Sequence, residues 1–413
     1  MKCIIWLSNV RFSLNGLKGT GTWLQPLASA LTSNYSIYHI CCGNVDKLLK
    51  ENIGGVEQYV LPNRKNVNNS QIPDKITCSE VKHIIDDINP DLIHVWGTES
   101  KWAYMNVLGI YNGFKVVLDM QGYLKSCYES YYAGLSIWEQ IKCFGLKEFL
   151  RPTSSLFYNR HLFYRLAAVE NAILKSYDYI SYQSDWIRNR LQGLNLKAKL
   201  FPTKIIVRSV FFDNKWKITN NKSPIFFTSS AGTTTYKGLH ILIKACSFIK
   251  QKYPDFRLYV AGHIMIKSHG VLSGYEKYLC SLIYKYKLTS NICFLGPLLA
   301  EEMIQYQLNA DVCIVPSFVE SYCLGLAESL ALGVPSVVAY SAAMPTIAKD
   351  KDEVLFYSPM DYVDCAEKAV LLFENKHIAS SLSNNSISRR IIENSKDEVI
   401  AAQMNIYKLI LES

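Results

Sequence analysis

Short apolar runs alternate with amphipathic stretches along almost the whole chain, and this alternation limits the fold more than any other feature. CIIWL, a helical stretch from Trp23 to Leu31, YSIYHI, DLIHVW, a helix from about Lys101, and KVVLDM follow in turn. An apolar run too short for a helix, then a helix-length stretch, then a second such run is the pattern of a βαβ unit and so of a parallel sheet. The rhythm restarts at SPIFFTSS and continues through a helix from Leu239 to Ile249 and the runs FRLYVAG, NICFLG, DVCIVPS, PSVVAY and EVLFY. Two sheets are therefore expected, and 413 residues exceed what one core usually supports.

The expected fold class is α/β, with two Rossmann-like, doubly wound parallel-sheet domains. The first covers residues 1–205 and the second 206–385, with the join between about Leu200 and Lys222, where FFDNKWKITNNKSP is polar and turn-rich. The last segment, 386–413, has helical spacing in Val399, Met404, Ile406, Leu409 and Ile410, and is expected to pack back across the join. Hydrophobic residues at 49% and charged residues at 19% exclude a disordered chain. The twelve cysteines include no C-x-x-C pair and no Cys/His cluster at zinc spacing, so neither redox chemistry nor a metal site is indicated.

MKCIIWLSNV is too briefly apolar for a signal peptide, and no window approaches the length of a membrane span, so a cytoplasmic protein is expected. The net charge of +9 favours an anionic membrane face over nucleic acid, because the lysines are scattered and no nucleic-acid motif is present. Between about residues 123 and 165 the rhythm gives way to YLKSCYESYYAGLSIWEQIKCFGLKEFLRPTSSLFYNRHLFYR, dense in aromatic and basic residues. Such an insert suits a peripheral contact with lipid, rings at headgroup level and cations on phosphates. It equally suits a helical lid whose aromatics are core.

Several positions carry candidate chemistry. In VPSFVESYCLGLAESLALGVPSVVAY, Glu320 follows a strand's carboxyl end and Glu328 lies on the helix beyond. In a parallel sheet ligands bind at that edge, and eight positions at roughly 100° per residue bring two side chains to one face. Two carboxylates there suit a polyhydroxylated ligand, since each accepts several hydroxyl hydrogen bonds. In AGTTTYKGLH, Lys237 and Gly238 open a helix, where an ammonium and free N–H groups suit a diphosphate. In SNVRFSLNGLKGTGTW, Gly19 and Gly21 let the backbone approach a ligand closely, although the loop fails as a dinucleotide fingerprint. His94, Glu99 and Gln121 stand at or near the ends of first-domain strands, and are candidates for sugar or acceptor contact. Asp350 and Asp352 form an acid-x-acid string, but within the charge run KDKDE, which reads as a solvated loop.

Taken together, the glycine loop, the YKG turn, and E-x7-E followed by ALGVPSVVA resemble the family 4 retaining glycosyltransferases of GT-B fold. PDLIHVWGTE, the QG after KVVLDM, and YKGLHILIKA support the likeness, which covers nearly the whole chain. The resemblance implies a nucleotide-sugar donor, UDP- or GDP-linked, and a glycan or lipid-linked acceptor, as in cell-surface polysaccharide synthesis, with no cofactor and no metal. It implies that Glu328 holds the ribose hydroxyls and that Glu320 contacts the transferred sugar. Lys237 and Gly238 bind the donor diphosphate, with Leu324 nearby and Gly19 and Gly21 lining the cleft opposite. The chain departs from the family where an Arg usually precedes the Lys, where Gln121 replaces a frequent His, at Cys323, at Ala342-Ala343 and at Thr346. A nucleotide-sugar epimerase or hydrolase on the same fold, or an inactive nucleotide-binding regulator, are the alternatives.

Overall fold

The computed structural model describes residues 1–14, 21–66, 70–194, 196–229, 234–262 and 272–413. Its fourteen described strands are β1 (Lys2–Leu7), β2 (Tyr35–Gly43), β3 (Leu49–Ile53), β4 (Val56–Pro62), β5 (Leu92–Trp96), β6 (Val116–Met120), β7 (Tyr179–Tyr182), β8 (Lys199–Pro202), β9 (Ile225–Ser229), β10 (Arg257–Ala261), β11 (Ile292–Gly296), β12 (Val312–Val315), β13 (Ser336–Ala339) and β14 (Leu355–Tyr357). They form two sheets, ordered β3-β4-β2-β1-β5-β6-β7-β8 and β11-β10-β9-β12-β13-β14. Every pairing is parallel except that of β3 with β4, an antiparallel edge. The central strands β5, β6, β12 and β13 are buried at every position. Helices on both faces explain why these runs read as continuously apolar rather than alternating.

The C-terminal helix Lys396–Leu411 shares a core with the first sheet. Val399, Ile406, Tyr407 and Ile410 pack with Ile4, Trp6 and Leu92. The Tyr407 hydroxyl accepts from Trp6 Nε1 at 2.9 Å and bonds His94 Nδ1 at 2.7 Å.

The aromatic and basic insert is helical, and it is not confined to the first domain. Tyr131, Leu135, Cys143 and Leu156 share a core with Leu239, Leu242, Tyr275 and Tyr278 of the second. His240, pushed down to about 4 by burial, bridges the Tyr275 hydroxyl at 2.9 Å and the Ala133 carbonyl at 3.0 Å. The helix Leu156–Ser176 then carries the chain back to β7. These aromatics are core, while Trp138, Phe149 and Tyr164 stand exposed.

Candidate active site

A cleft of about 720 Å³ opens between the two sheets, lined from one side by Ser8, Gly21, Glu99, Gln121 and Gln183 and from the other by Arg208, Lys237, Glu320, Leu324 and Glu328. It lies where the carboxyl ends of parallel strands meet helix starts, so helix N–H groups and strand-end loops face the same space.

Glu320 sits in the loop after β12, four positions ahead of the helix Leu324–Leu332 that carries Glu328. The two carboxylates therefore do not share one helix face, as the eight-residue spacing alone suggested. The loop brings Glu320 round to the cleft by its own bonds. Its carbonyl accepts from Ala343 N at 3.1 Å. The next residue, Ser321, donates its hydroxyl to the Gln121 carbonyl and accepts at its own carbonyl from Ser184 Oγ at 2.8 Å. Both bonds tie this loop to the first domain.

Lys237 closes a 3₁₀ turn, Thr235–Lys237, and Gly238 caps the helix Leu239–Lys252 in the left-handed region at φ 73°. Only glycine fits there, because a Cβ would fall on the Pro316 carbonyl oxygen. Phe318 N also donates to the Tyr236 carbonyl at 2.7 Å, so the Lys237 turn and the Glu320 loop are joined through backbone. Lys237 Nζ then meets Glu320 Oε1 at 2.6 Å. Burial opposes the ammonium charge, but Glu320 outweighs it and the Lys237 pKa is raised.

Glu328 is nearly buried, with a side chain 4% exposed, and receives Arg208 Nη2 at 2.7 Å and Nε at 3.0 Å. Burial raises its pKa and the guanidinium lowers it. Arg208 belongs to the segment joining the domains, a site residue that sequence reading did not single out. Its signal was present: one arginine stands inside the apolar run of KIIVRSVFF.

On the opposite wall Gln121 Nε2 donates to Asp119 Oδ1 at 2.5 Å, which turns its amide oxygen away from that partner. Asp119 also accepts from Ser181 Oγ at 2.7 Å and Gln183 Nε2 at 3.0 Å, and burial pushes its pKa up to about 7. Glu99 lines the same wall and is exposed. Below it, Glu170 accepts from Thr98 Oγ1 at 2.6 Å and from Leu124 N and Lys125 N, and burial takes its pKa to about 7.

His94 is corrected by its position. It lies inside β5, fully buried against Trp96 at 3.8 Å between ring centroids and bonded to Tyr407, and it lines no part of the cleft. Burial holds it neutral, well below the usual histidine range. Gly21 lines the cleft at φ 75°, whereas Gly19 lies outside the described residues. Asp350 caps Phe356 N at 3.0 Å and Asp352 holds Asn385 Nδ2 at 2.8 Å, so both serve an exposed loop. Among the described residues no cluster of three His, Cys, Asp or Glu could hold a metal ion. None of their helices is long and apolar enough to cross a membrane.

Residues 210–396 match the family model described as glycosyl transferases group 1. The uncharacterised glycosyltransferase YqgM of Bacillus subtilis is 27% identical over 252 residues, 60% of this chain and 63% of that protein. A candidate colanic acid biosynthesis glycosyltransferase of Escherichia coli, WcaL, is 27% identical over 133 residues, 31% of this chain and 30% of its own. The chain thus spans less than two thirds of the length of either relative. Among solved structures, sucrose-phosphate synthase from Thermosynechococcus elongatus superposes with a TM-score of 0.74 at 16% identity, covering all of both chains. Anabaena HepE in complex with UDP-glucose gives 0.69 at 14% identity, again over the whole of each. The fold is GT-B, and the stretch that matches the group 1 glycosyl transferase model includes β9 to β14.

Proposed function

We propose that this protein is a glycosyltransferase of the family 4 type, moving a sugar from a nucleotide-sugar donor to a glycan or lipid-linked acceptor with retention of anomeric configuration. The observation that carries the reading is the Lys237–Glu320 contact of 2.6 Å, set in one cleft with Arg208 and Glu328. Glycosyl transfer develops positive charge on the sugar and negative charge on the departing diphosphate. Glu320 answers the first and Lys237 the second, both fixed before substrate arrives, which is where preorganised electrostatics gains most.

Arg208 supplies the second cation that the family motif usually places just before the lysine. A guanidinium released from Glu328 toward the diphosphate frees that carboxylate for ribose hydroxyls, so donor binding exchanges one set of charge-assisted bonds for another. With two cations facing the leaving group once donor binds, the reaction is read as metal-independent and needing no cofactor. Gln121 and Glu99, on the opposite wall, are the candidates for sugar and acceptor contact. Retention is assigned to front-face attack, in which the leaving phosphate helps deprotonate the acceptor hydroxyl. Glu328, engaged with the ribose once Arg208 has left it, is badly placed to act as the acid of a glycosidase-like pair.

The donor is read as UDP- or GDP-linked. That solved relatives of this fold hold UDP-glucose supports a nucleotide-sugar donor. The likeness to WcaL supports a place in polysaccharide biosynthesis, read here as cytoplasmic synthesis of surface polysaccharide, whether capsule, exopolysaccharide or O-antigen. The test is incubation of the full chain with a panel of nucleotide sugars, with and without lipid-linked glycan acceptors. Acceptor-dependent release of nucleoside diphosphate is expected. Release that ignores the acceptor would favour a hydrolase, interconversion of the donor an epimerase, and binding without turnover a regulator.

A further inference from the structure

The chain returns from the second domain to the first through a turn between the helix Lys376–Glu393 and the helix Lys396–Leu411, which packs on the first sheet. Asn394 and Ser395 are the whole of that turn, and Asn394 is 2% exposed. Its side chain is held in three directions. Nδ2 donates to the Ile205 carbonyl at 2.7 Å and to the Tyr322 hydroxyl at 2.6 Å, while Oδ1 accepts from Arg390 Nη1 at 2.9 Å. An amide suits this place because it offers two donor hydrogens and an acceptor on one short side chain.

Each partner leads to a charged group of the cleft. Ile205 lies in the join, and Val207 N, next to Arg208, donates to the Asn394 carbonyl at 3.5 Å. Tyr322 follows Glu320 by two positions, in the loop whose Ser321 holds the Gln121 carbonyl. Arg390, fully buried, donates from Nη2 to the Ile347 carbonyl at 3.1 Å, at the end of the helical turn Met344–Ile347. Ala343, which caps that turn, donates its N–H to the Glu320 carbonyl. The crossing turn therefore braces the Glu320 loop from two sides and the Arg208 segment from a third. On the reading of the cleft as a glycosyl-transfer site, we propose that Asn394 is a positioning residue for the reaction. It fixes the loop of Glu320 against the segment of Arg208 while lining no part of the cleft itself. Misplacing a reacting group by about 1 Å can cost on the order of 10²-fold in rate, so such a brace acts on turnover as well as on stability.

The test is a double-mutant cycle in the full chain, with Tyr322→Phe, Asn394→Ala and the two together. Each is assayed for acceptor-dependent transfer and, by calorimetry, for nucleoside diphosphate affinity. Counting kcat per nucleotide-binding site keeps unfolded protein out of the comparison. Tyr322→Phe removes one hydroxyl and cuts only the arm to the Glu320 loop, so kcat should fall about tenfold with nucleotide affinity unchanged. Asn394→Ala cuts the arm to the join as well, and should also weaken nucleotide binding by about fivefold. The double variant should turn over no more slowly than Asn394→Ala, because the bond that Tyr322→Phe deletes is already gone. Full kcat in Tyr322→Phe, losses that multiply in the double variant, or an Asn394→Ala variant that loses only unfolding stability would overturn the proposal. If Asn394→Ala does not fold, the Tyr322→Phe result decides alone. A parent chain that transfers no sugar would refute the proposed function, and the role of Asn394 with it, before any variant is compared.

Discussion

Arg208 and Glu328, 120 positions apart, meet through two nitrogens of one guanidinium at 2.7 and 3.0 Å, on the wall of the cleft that also carries Lys237. The pair links the segment that joins the domains to the helix behind the β12 loop, so this wall of the cleft is assembled across the join rather than within one βαβ unit.

Arg208→Ala removes the partner of a nearly buried carboxylate and, on the proposed mechanism, one of the two phosphate cations. Loss of about 3 kcal/mol of stability is expected from the uncompensated Glu328. Donor affinity should fall about tenfold or more, read by titration calorimetry with nucleoside diphosphate. Arg208→Lys keeps charge but not the forked contact, and should recover only part of that affinity. Unchanged nucleotide affinity in the alanine variant would remove Arg208 from the clamp.

Glu320 and Lys237 divide differently. Glu320→Gln keeps shape and hydrogen bonding while deleting the charge opposite the developing cation, so kcat should fall by about 10²–10³ with nucleotide binding nearly intact. Lys237→Ala should lose binding and turnover together, because its charge meets the diphosphate in ground and transition states alike. Full activity in the Glu320 variant would refute the role given to it.

How much of this could be read in the chain depended on distance. The two parallel sheets, the Glu320 loop and the Lys237 turn are each written in one contiguous stretch of strand, turn and helix start, where apolar period and glycine placement carry the signal. Gly238 illustrates this: its φ of 73° is a consequence of the YKG turn. Arg208 was harder to read, since its partner lies 120 positions away and its place inside the apolar run KIIVRSVFF is the one local sign that it is not a surface arginine. His94 misled for the opposite reason. Its place near a strand end suggested ligand contact, while Tyr407, 313 positions on, covers it from the C-terminal helix. The antiparallel β3 edge and the docking of the insert on the second domain are likewise long-range outcomes.

Tyr407 accordingly yields a stability prediction. Its hydroxyl serves both Trp6 Nε1 and His94 Nδ1, and His94 Nε2 already has no partner among the described residues. Tyr407→Phe keeps the ring but strands two buried polar atoms, so unfolding in urea should show a loss of about 2–4 kcal/mol. Because none of the three residues lines the cleft, nucleotide affinity of the folded variant should not change. A variant as stable as the parent would show that these bonds do not anchor the C-terminal helix.

Asp119 yields a dependence on pH. Burial lifts its carboxyl from 3.8 to about 7, against the hydrogen bonds from Ser181, Gln183 and Gln121. A raised acid binds its proton in the folded state over a range where the unfolded chain has released it. Stability from this group is therefore fully present below about pH 4 and is lost as pH rises toward 7. Asp119→Asn mimics the protonated form: its amide can donate to Ser181 Oγ while its oxygen accepts from the Gln121 and Gln183 amides. The variant should be more stable than the parent near pH 8 and should lose the decline between about pH 4 and 7, leaving that of Glu170, which has the same sign. Urea unfolding at several pH values reads the difference. Parallel curves for parent and variant would mean that Asp119 is ionised throughout, and that Gln121 is held by a carboxylate rather than by a carboxylic acid.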